Sequence, residues 1–170
     1  RHLFDQTKHP NIKSGDLCIA HIEGIKVDGK PVNWPDHYYY KGCMFSNLPN
    51  LSVVFGYLNA SWTLRADVNS DYICRLLNTM QASGSDIATP VLPEDHGLEE
   101  DDIFDFSSGY IQRGKHIMPR NAMTYPWRLN QEYVTDRKIM QESPVEDGSM
   151  SLLKAGANAV NADEQLEAAE

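Results

Sequence analysis

The sequence predicts an α/β fold in which a sheet with a hairpin is followed by one long amphipathic helix and short C-terminal helices. Asp28 and Gly29 separate two short apolar segments, the composition of a type I′ hairpin turn. The apolar run of residues 51–55 ends at Gly56 and predicts a strand buried on both faces in a parallel sheet. Over residues 64–80 the apolar side chains recur every three or four positions, which predicts a helix.

The first elements follow from local composition. Residues 1–16 are polar, contain Pro10 and Gly15, and show no sustained apolar period, so we expect an irregular N-terminal arm. The hairpin is expected within residues 17–34, and an Asn-Leu-Pro-Asn turn at residues 47–50 precedes the predicted strand. We expect helices to cover the sheet that contains this strand.

The predicted long helix has distinct apolar and polar faces. The side chains expected to be buried are Leu64, Val68, Ile73, Leu76 and Leu77. The polar residues expected largely off that face, in solvent, are Arg65, Asp67, Asn69, Asp71 and Arg75. Asn59 and Ser61 stand where an N-cap is needed, and Ser83 with Gly84 supplies the stop.

The rest of the chain predicts loops and two short helices. Residues 85–105 are acidic and rich in proline, which indicates a loop. Short helices are expected in residues 107–119 and 130–143, the second capped by Asn130. We therefore expect three regions: the arm at 1–16, a folded segment at 17–147, and a polar Ala/Glu-rich tail outside the core at 148–170.

Composition argues against several classes of function. The net charge of −9 and pI of about 5.0 argue against nucleic acid as a partner, because such binding depends on Lys and Arg neutralising phosphates. No apolar run reaches the length of a transmembrane helix, and the start has neither a signal-peptide pattern nor an initiator Met, so we expect a processed or cut beginning.

Three widely spaced cysteines predict neither a disulfide framework nor a zinc site. Cys18 and His21 have the gap of half a metal site, but no second pair with ligand spacing follows, so no metal is expected. A reducing compartment is the simpler expectation for Cys18, Cys43 and Cys74, and the sequence does not specify the localisation further.

The predicted strand, glycine and helix form a possible ligand site. In α/β sheets, ligands bind beyond the carboxyl ends of strands, where helix N-termini present unpaired N–H groups. Gly56 could let the backbone approach a ligand closely, and the amides near Asn59, Ala60 and Ser61 could face a partial negative charge such as a flavin carbonyl. The alternative is that Gly56 serves packing alone.

Three segments resemble one enzyme family in the same order and with the expected gaps. They are "KGCMFSNLPNLSVVFGYLNASWTLRADVNSDYICRLLNTM", "FSSGYIQRGKHIMP" and "YPWRLNQEYVTDRKIM". Together they resemble the C-terminal part of the FAD- and NADPH-dependent class B flavoprotein monooxygenases, within them the Baeyer–Villiger type and its ethionamide-activating branch. The resemblance runs from about residue 17 to residue 147 and implies a partial FAD-domain-like sheet.

The resemblance also implies a set of cofactor-binding residues: Gly56, Tyr57, Asn59, Ala60 and Ser61 would meet the isoalloxazine side of FAD. It implies that Trp62, Tyr110 and Trp127 line or buttress the substrate region, although packing alone would also account for these rings. No residue is assigned to catalysis, and none to a metal.

The chain lacks the motifs with which the family binds both cofactors. It has no G-x-G-x-x-G and no F-x-G-x-x-x-H-x-x-x-W fingerprint, so no cofactor is expected on the isolated chain. Two interpretations follow. The chain is a segment of a monooxygenase that is inactive alone, or it is an accessory or structural subunit derived from one. In the second case we expect other protein chains to contact the N-terminal arm and the C-terminal tail.

Overall fold

A computed structural model describes residues 25–101 and 115–155 of the chain. Expectations for the N-terminal arm, Cys18, His21, Tyr110 and most of the tail lie outside these residues. The strands are β1 Lys26–Val27, β2 Lys30–Pro31, β3 Tyr39–Tyr40, β4 Met44–Phe45, β5 Ile87–Pro90 and β6 Met150–Leu153. The helices are α1 Trp62–Ser83 and α2 Tyr133–Glu142, with 3-10 turns at Trp34–Asp36 and Lys115–Ile117. The described part is thus mixed α and β, which agrees with the predicted class at this level.

The predicted hairpin is confirmed. β1 and β2 pair antiparallel, and the two residues between them have positive φ angles, 51° at Asp28 and 79° at Gly29. A type I′ turn requires positive φ at both central positions, which aspartate and glycine adopt at low cost. The predicted turn at residues 47–50 is also present, with positive φ at Asn47 and Asn50.

The predicted parallel sheet and its strand at residues 51–55 are wrong. The strands described here form three two-stranded antiparallel ladders, β1 with β2, β3 with β4 and β5 with β6. Residues 51–55 are all described and form no strand, although the Val53 N–H donates to the Cys43 carbonyl oxygen at 2.8 Å. Burial alternates along this segment, and Val54 is 44% exposed. One face of this segment is therefore partly buried, whereas the prediction required both faces to be buried.

Helix α1 is confirmed, with the predicted stop and one of the two predicted caps. The Ser61 hydroxyl accepts a hydrogen bond from the Thr63 N–H, and Gly84 ends the helix in the left-handed conformation. Val68 and Leu76 are buried as expected, but Leu77 is 57% exposed, so its predicted burial is wrong. Arg65 and Asn69 are also corrected, because they are buried rather than in solvent.

Helix α2 packs beside α1, and the two run parallel. Arg65 contacts Asp136, Asp71 accepts a hydrogen bond from Gln141, and Arg75 donates to the Ser143 carbonyl oxygen, so the numbering increases along both helices together. The α2 cap is Glu132, whose carboxylate accepts from the Thr135 N–H at 3.1 Å, and not the predicted Asn130. Of the other predicted short helix, the described part holds one 3-10 turn.

Strands β5 and β6 lie where a loop and an outlying tail were expected. They pair antiparallel with Ile87 opposite Leu153 and Pro90 opposite Met150. Met150 is 8% exposed and belongs to the main core cluster, together with residues of α1, α2 and the β3–β4 hairpin. Residues Met150–Leu153 are therefore part of the fold. No described helix has the length and apolar character needed to cross a membrane.

Candidate functional site

The side of Gly56 where a Cβ would stand is covered by the Trp62 indole. A Cβ built on Gly56 would lie 2.3 Å from the nearest ring atoms of Trp62. Trp62 is the first residue of α1, remains 57% exposed, and also packs against Phe55 with ring centroids 5.8 Å apart. Packing therefore accounts for the missing side chain at Gly56.

Tyr57 points into the protein. Its side chain is buried, and its hydroxyl donates to Asp136 Oδ2 at 2.9 Å. The guanidinium carbon of Arg65 lies 4.1 Å from the centre of the Tyr57 ring. Burial raises the pKa of the Tyr57 hydroxyl above its ordinary value. Tyr57 thus anchors the chain just before α1 to the protein interior.

The three residues before α1 form an exposed rim. Asn59, Ala60 and Ser61 are all exposed. The Ser61 hydroxyl is engaged as the helix cap and in a 2.7 Å hydrogen bond with the Thr63 hydroxyl. The residue before the rim is Leu58, whose N–H donates to Gln131 Oε1 at 2.8 Å. The rim therefore lies at the positive end of the α1 dipole and is fixed to the segment that precedes α2.

A buried ion pair lies beneath this rim. Arg65 Nη2 is 2.8 Å from Asp136 Oδ2, and both side chains are almost fully buried. The same nitrogen donates to the Asn130 carbonyl oxygen, whereas Arg65 Nε and Nη1 have no hydrogen-bond partner among the described residues. Burial raises the pKa of the Asp136 carboxyl, and Arg65 and the Tyr57 hydroxyl oppose that rise. This group, Arg65 with Asp136 and Tyr57, is called the Arg65 cluster below.

A second ion pair, between the buried Lys41 and the partly buried Asp147, lies at the turn of the β3–β4 hairpin. Lys41 Nζ is 3.0 Å from Asp147 Oδ2 and donates to the Pro144 carbonyl oxygen at 3.0 Å. The Tyr40 hydroxyl donates to the same carboxylate oxygen at 2.9 Å, and the Tyr72 ring centre lies 4.8 Å from Lys41 Nζ. Burial lowers the pKa of Lys41, opposed by Asp147. This pair joins the hairpin to the segment after α2.

The sequence prediction missed both ion pairs. A partial signal existed for Arg65, because it lies three residues before Val68, which was predicted to be buried. Lys41 stands inside the run "HYYYKGCMF", whose apolar and aromatic neighbours indicate burial. The carboxylate partners Asp136 and Asp147 lie far away in sequence, and no local pattern identifies them.

The rim offers exposed polar groups at a helix N-terminus but no site for a whole dinucleotide among the described residues. The exposed rim and the α1 N-terminus offer a polar surface, but the described residues include no glycine-rich loop to hold a pyrophosphate.

A cleft of about 420 Å³, lined by Arg75, Asn78, Thr79, Pro144, Val145 and Glu146, is located along the C-terminal half of α1, away from the rim. No group of three or more His, Cys, Asp or Glu in the described ranges could hold a metal ion.

The remaining predicted aromatics divide between surface and core. Trp127 is buried and packs against Tyr40 with ring centroids 5.3 Å apart, so it supports the core. Trp62 is the exposed ring nearest the rim along the chain. The structure thus brings Asn59, Ala60 and Ser61 together at the surface and turns Tyr57 away from them.

Comparison with known proteins identifies relatives of one kind. The chain is 38% identical over 154 residues to the probable FAD-binding monooxygenase AlmA of an Acinetobacter species, a match that covers 88% of this chain and 31% of AlmA. It is 41% identical over 141 residues to the putative FAD-containing monooxygenase MymA of Mycobacterium tuberculosis, covering 82% of this chain and 28% of MymA. It is 37% identical over 131 residues to the FAD-containing monooxygenase EthA of the same organism, covering 77% of this chain and 27% of EthA.

No protein-family model and no solved structure matched the chain. The chain spans 27–31% of the length of these three curated relatives.

Proposed function

Because the chain is related to the FAD-containing monooxygenases, we propose that it forms the part of such an enzyme that meets one edge of the flavin ring. The observation that carries the proposal is the sequence identity of 37–41% to three such relatives over most of this chain. By the resemblance of its motifs, the parent enzyme is of the Baeyer–Villiger type and uses NADPH. When bound, the flavin would supply the chemistry that transfers one oxygen atom to a ketone or a sulfur.

The chain's own contribution is an oriented polar edge. The α1 N-terminus directs its partial positive charge toward the exposed rim, where it favours a ligand group of partial negative charge, such as a flavin carbonyl. Asn59 and Ala60 would contact that group, and Ser61 would hold the first turn of the helix in place. Tyr57 would not contact the ligand but would hold the chain in place through its hydrogen bond to Asp136.

The chain is inactive by itself under this proposal. Its sequence contains no G-x-G-x-x-G, the motif whose backbone N–H groups hold a dinucleotide pyrophosphate at a helix N-terminus. One edge of the ring supplies too few contacts for tight binding of FAD or NADPH. A segment upstream in the parent enzyme, or a separate chain, would supply the rest.

A graft tests the proposal. This chain replaces the 141 residues of M. tuberculosis MymA that match it, and the purified graft is examined for a flavin absorption band and for NADPH oxidation. We expect bound FAD and NADPH oxidation in the graft, and neither in the free 170-residue chain. A folded graft without flavin would contradict the proposal and would favour the alternative, a non-catalytic accessory subunit.

A further inference from the structure

The Arg65 cluster is located where it can control the rim without touching a ligand. Arg65 lies in the first turns of α1, four residues after the cap Ser61, and Asp136 lies four residues after the α2 cap Glu132. Since the two helices run parallel, the ion pair ties their first turns together. Leu58 and the rim together connect Tyr57 to α1.

Three contacts converge on one carboxylate and on the residues next to the rim. Asp136 Oδ2 accepts from the Tyr57 hydroxyl at 2.9 Å and lies 2.8 Å from Arg65 Nη2. The Arg65 guanidinium covers the Tyr57 ring. At the next residue, the Leu58 N–H is held by Gln131. The chain thus enters the rim from a fixed point.

Burying the Arg65 cluster has a cost in folding free energy. Two of the guanidinium nitrogens have no hydrogen-bond partner among the described residues, and a buried polar group without a partner is costly. Replacing a buried ion pair by apolar side chains of similar volume is often neutral or stabilising. Stability alone therefore does not explain the arrangement, whereas its geometry does fix the position of the Tyr57 ring.

We propose that Arg65 and Asp136 are positioning residues, which act through Tyr57 to hold residues 58–61 in the orientation that meets the flavin edge. The inference rests on the proposed function for its ligand and on the structure for its geometry. The two residues contact no ligand themselves. Their effect is to keep the rim and the first turn of α1 in a single arrangement before the ligand arrives.

The test replaces the whole ion pair, so that neither charge is left buried alone. The variant is the double substitution Arg65→Met with Asp136→Leu, and Tyr57→Phe is the milder variant that removes the hydroxyl donor alone. The matched control is Lys41→Met with Asp147→Leu, which replaces the other ion pair, at the β3–β4 turn. Each is made in the full 170-residue chain and in the MymA graft.

The first measurement needs no flavin. Amide hydrogen exchange is followed at Leu58, Thr63 and Leu64, whose N–H groups are all hydrogen-bonded at the rim, together with the midpoint of global unfolding. We expect exchange at these amides to be about ten- to a hundredfold faster in the Arg65 and Asp136 double variant, the scale of losing a hydrogen bond to a charged group. The control should leave these three amides unchanged.

The second measurement is the affinity of the graft for FAD. We expect the double variant to weaken FAD binding by about tenfold, while the Lys41 and Asp147 control keeps the affinity of the unmodified graft. Unchanged exchange at the three amides would overturn the positioning role whether or not flavin binds. An unmodified graft that lacks flavin would instead overturn the proposed function, and with it the assignment of flavin as the group the rim meets.

Discussion

Replacing Gly56 by alanine tests whether this glycine serves packing or a ligand. The added Cβ would lie 2.3 Å from the Trp62 ring, and carbon atoms in contact are about 3.5–4.0 Å apart, so the overlap is about 1.2–1.7 Å. The ring atoms involved are close to the Trp62 backbone rather than at the far end of the side chain, so a small rotation does not relieve the overlap. We expect a loss of about 1–3 kcal/mol in the free energy of unfolding.

The same substitution in a Trp62→Ala background should behave differently. Removing the indole removes the three atoms nearest to the added Cβ, and the backbone at Gly56 is not in the left-handed region. Alanine then restricts the unfolded chain, and the change should be neutral or stabilising by about 0.4–1 kcal/mol. The two substitutions should therefore be coupled by about 1 kcal/mol or more.

Urea denaturation of the four chains in this cycle measures the coupling. Equal losses for Gly56→Ala in the two backgrounds would refute the packing explanation. In that case the glycine would be required by something other than Trp62, and close approach of a ligand would again be the better interpretation.

Three further predictions concern the core, the pH dependence and the free chain. Leu76→Ala should lower the free energy of unfolding by about 2–5 kcal/mol, because Leu76 is buried in the main core cluster. The neighbouring Leu77→Ala, at a site 57% exposed, should stay within about 0.5 kcal/mol in the same denaturation assay, and equal losses would contradict the observed helix face. The folded pKa of Asp136 is raised by burial, so its contribution to stability is complete below its ordinary value of 3.8 and is lost as the pH rises through the raised value. The wild-type free energy of unfolding, measured relative to Asp136→Asn by denaturation at a series of fixed pH values, should therefore fall as the pH rises from 3.8 through the raised pKa. A relative rise would mean that the attraction of Arg65 for the carboxylate outweighs the effect of burial on the Asp136 pKa. Calorimetric titration of the free 170-residue chain with FAD should detect no tight binding, and a tight complex would show that the missing glycine loops are dispensable.

The elements that the sequence predicted correctly are those specified by neighbouring residues. The Asp28-Gly29 turn needs positive φ at two adjacent positions, and the α1 cap and stop depend on Ser61 and Gly84 themselves. Both signals act within a few residues of the element they define. They therefore remain valid whatever the rest of the chain does.

The strand pairing could not be predicted, because it depends on distant partners. β5 pairs with β6 from about sixty residues further along the chain, and neither has a strong local pattern. The apolar run at residues 51–55 has the composition of a buried strand, but it lies beside the turn of the β3–β4 hairpin. That turn provides one acceptor, the Cys43 carbonyl oxygen, and residues 51–55 form no β-ladder. Tertiary context decided both cases.

The candidate site was predicted in part for the same reason. Ser61 at the start of α1 follows from capping chemistry, whereas the burial of Arg65 depends on a carboxylate on another helix. The predicted apolar stripe placed Leu77 inside and Arg65 outside. The helix instead turns the face of Arg65, Val68, Asn69, Tyr72 and Leu76 inward, where Arg65 pairs with Asp136 and the Asn69 amide donates to the Val53 carbonyl oxygen.

A matched pair of charged substitutions shows whether the rim before α1 meets the flavin. Ala60 and Ala82 are both exposed. Ala60 lies at the rim before α1, and Ala82 lies in the last turn of α1. Glutamate is compatible with the helix at Ala60, because a negative charge near the N-terminus is favourable there. A loss of binding at that position would therefore not reflect unfolding.

The measurement is the FAD dissociation constant of the MymA graft carrying Ala60→Glu or Ala82→Glu. We expect Ala60→Glu to weaken FAD binding by about tenfold or more, because it places a like charge beside an electron-rich ring edge, and Ala82→Glu to leave the affinity unchanged. Equal affinities in the two variants would show that the flavin does not meet the rim and would contradict the proposed function.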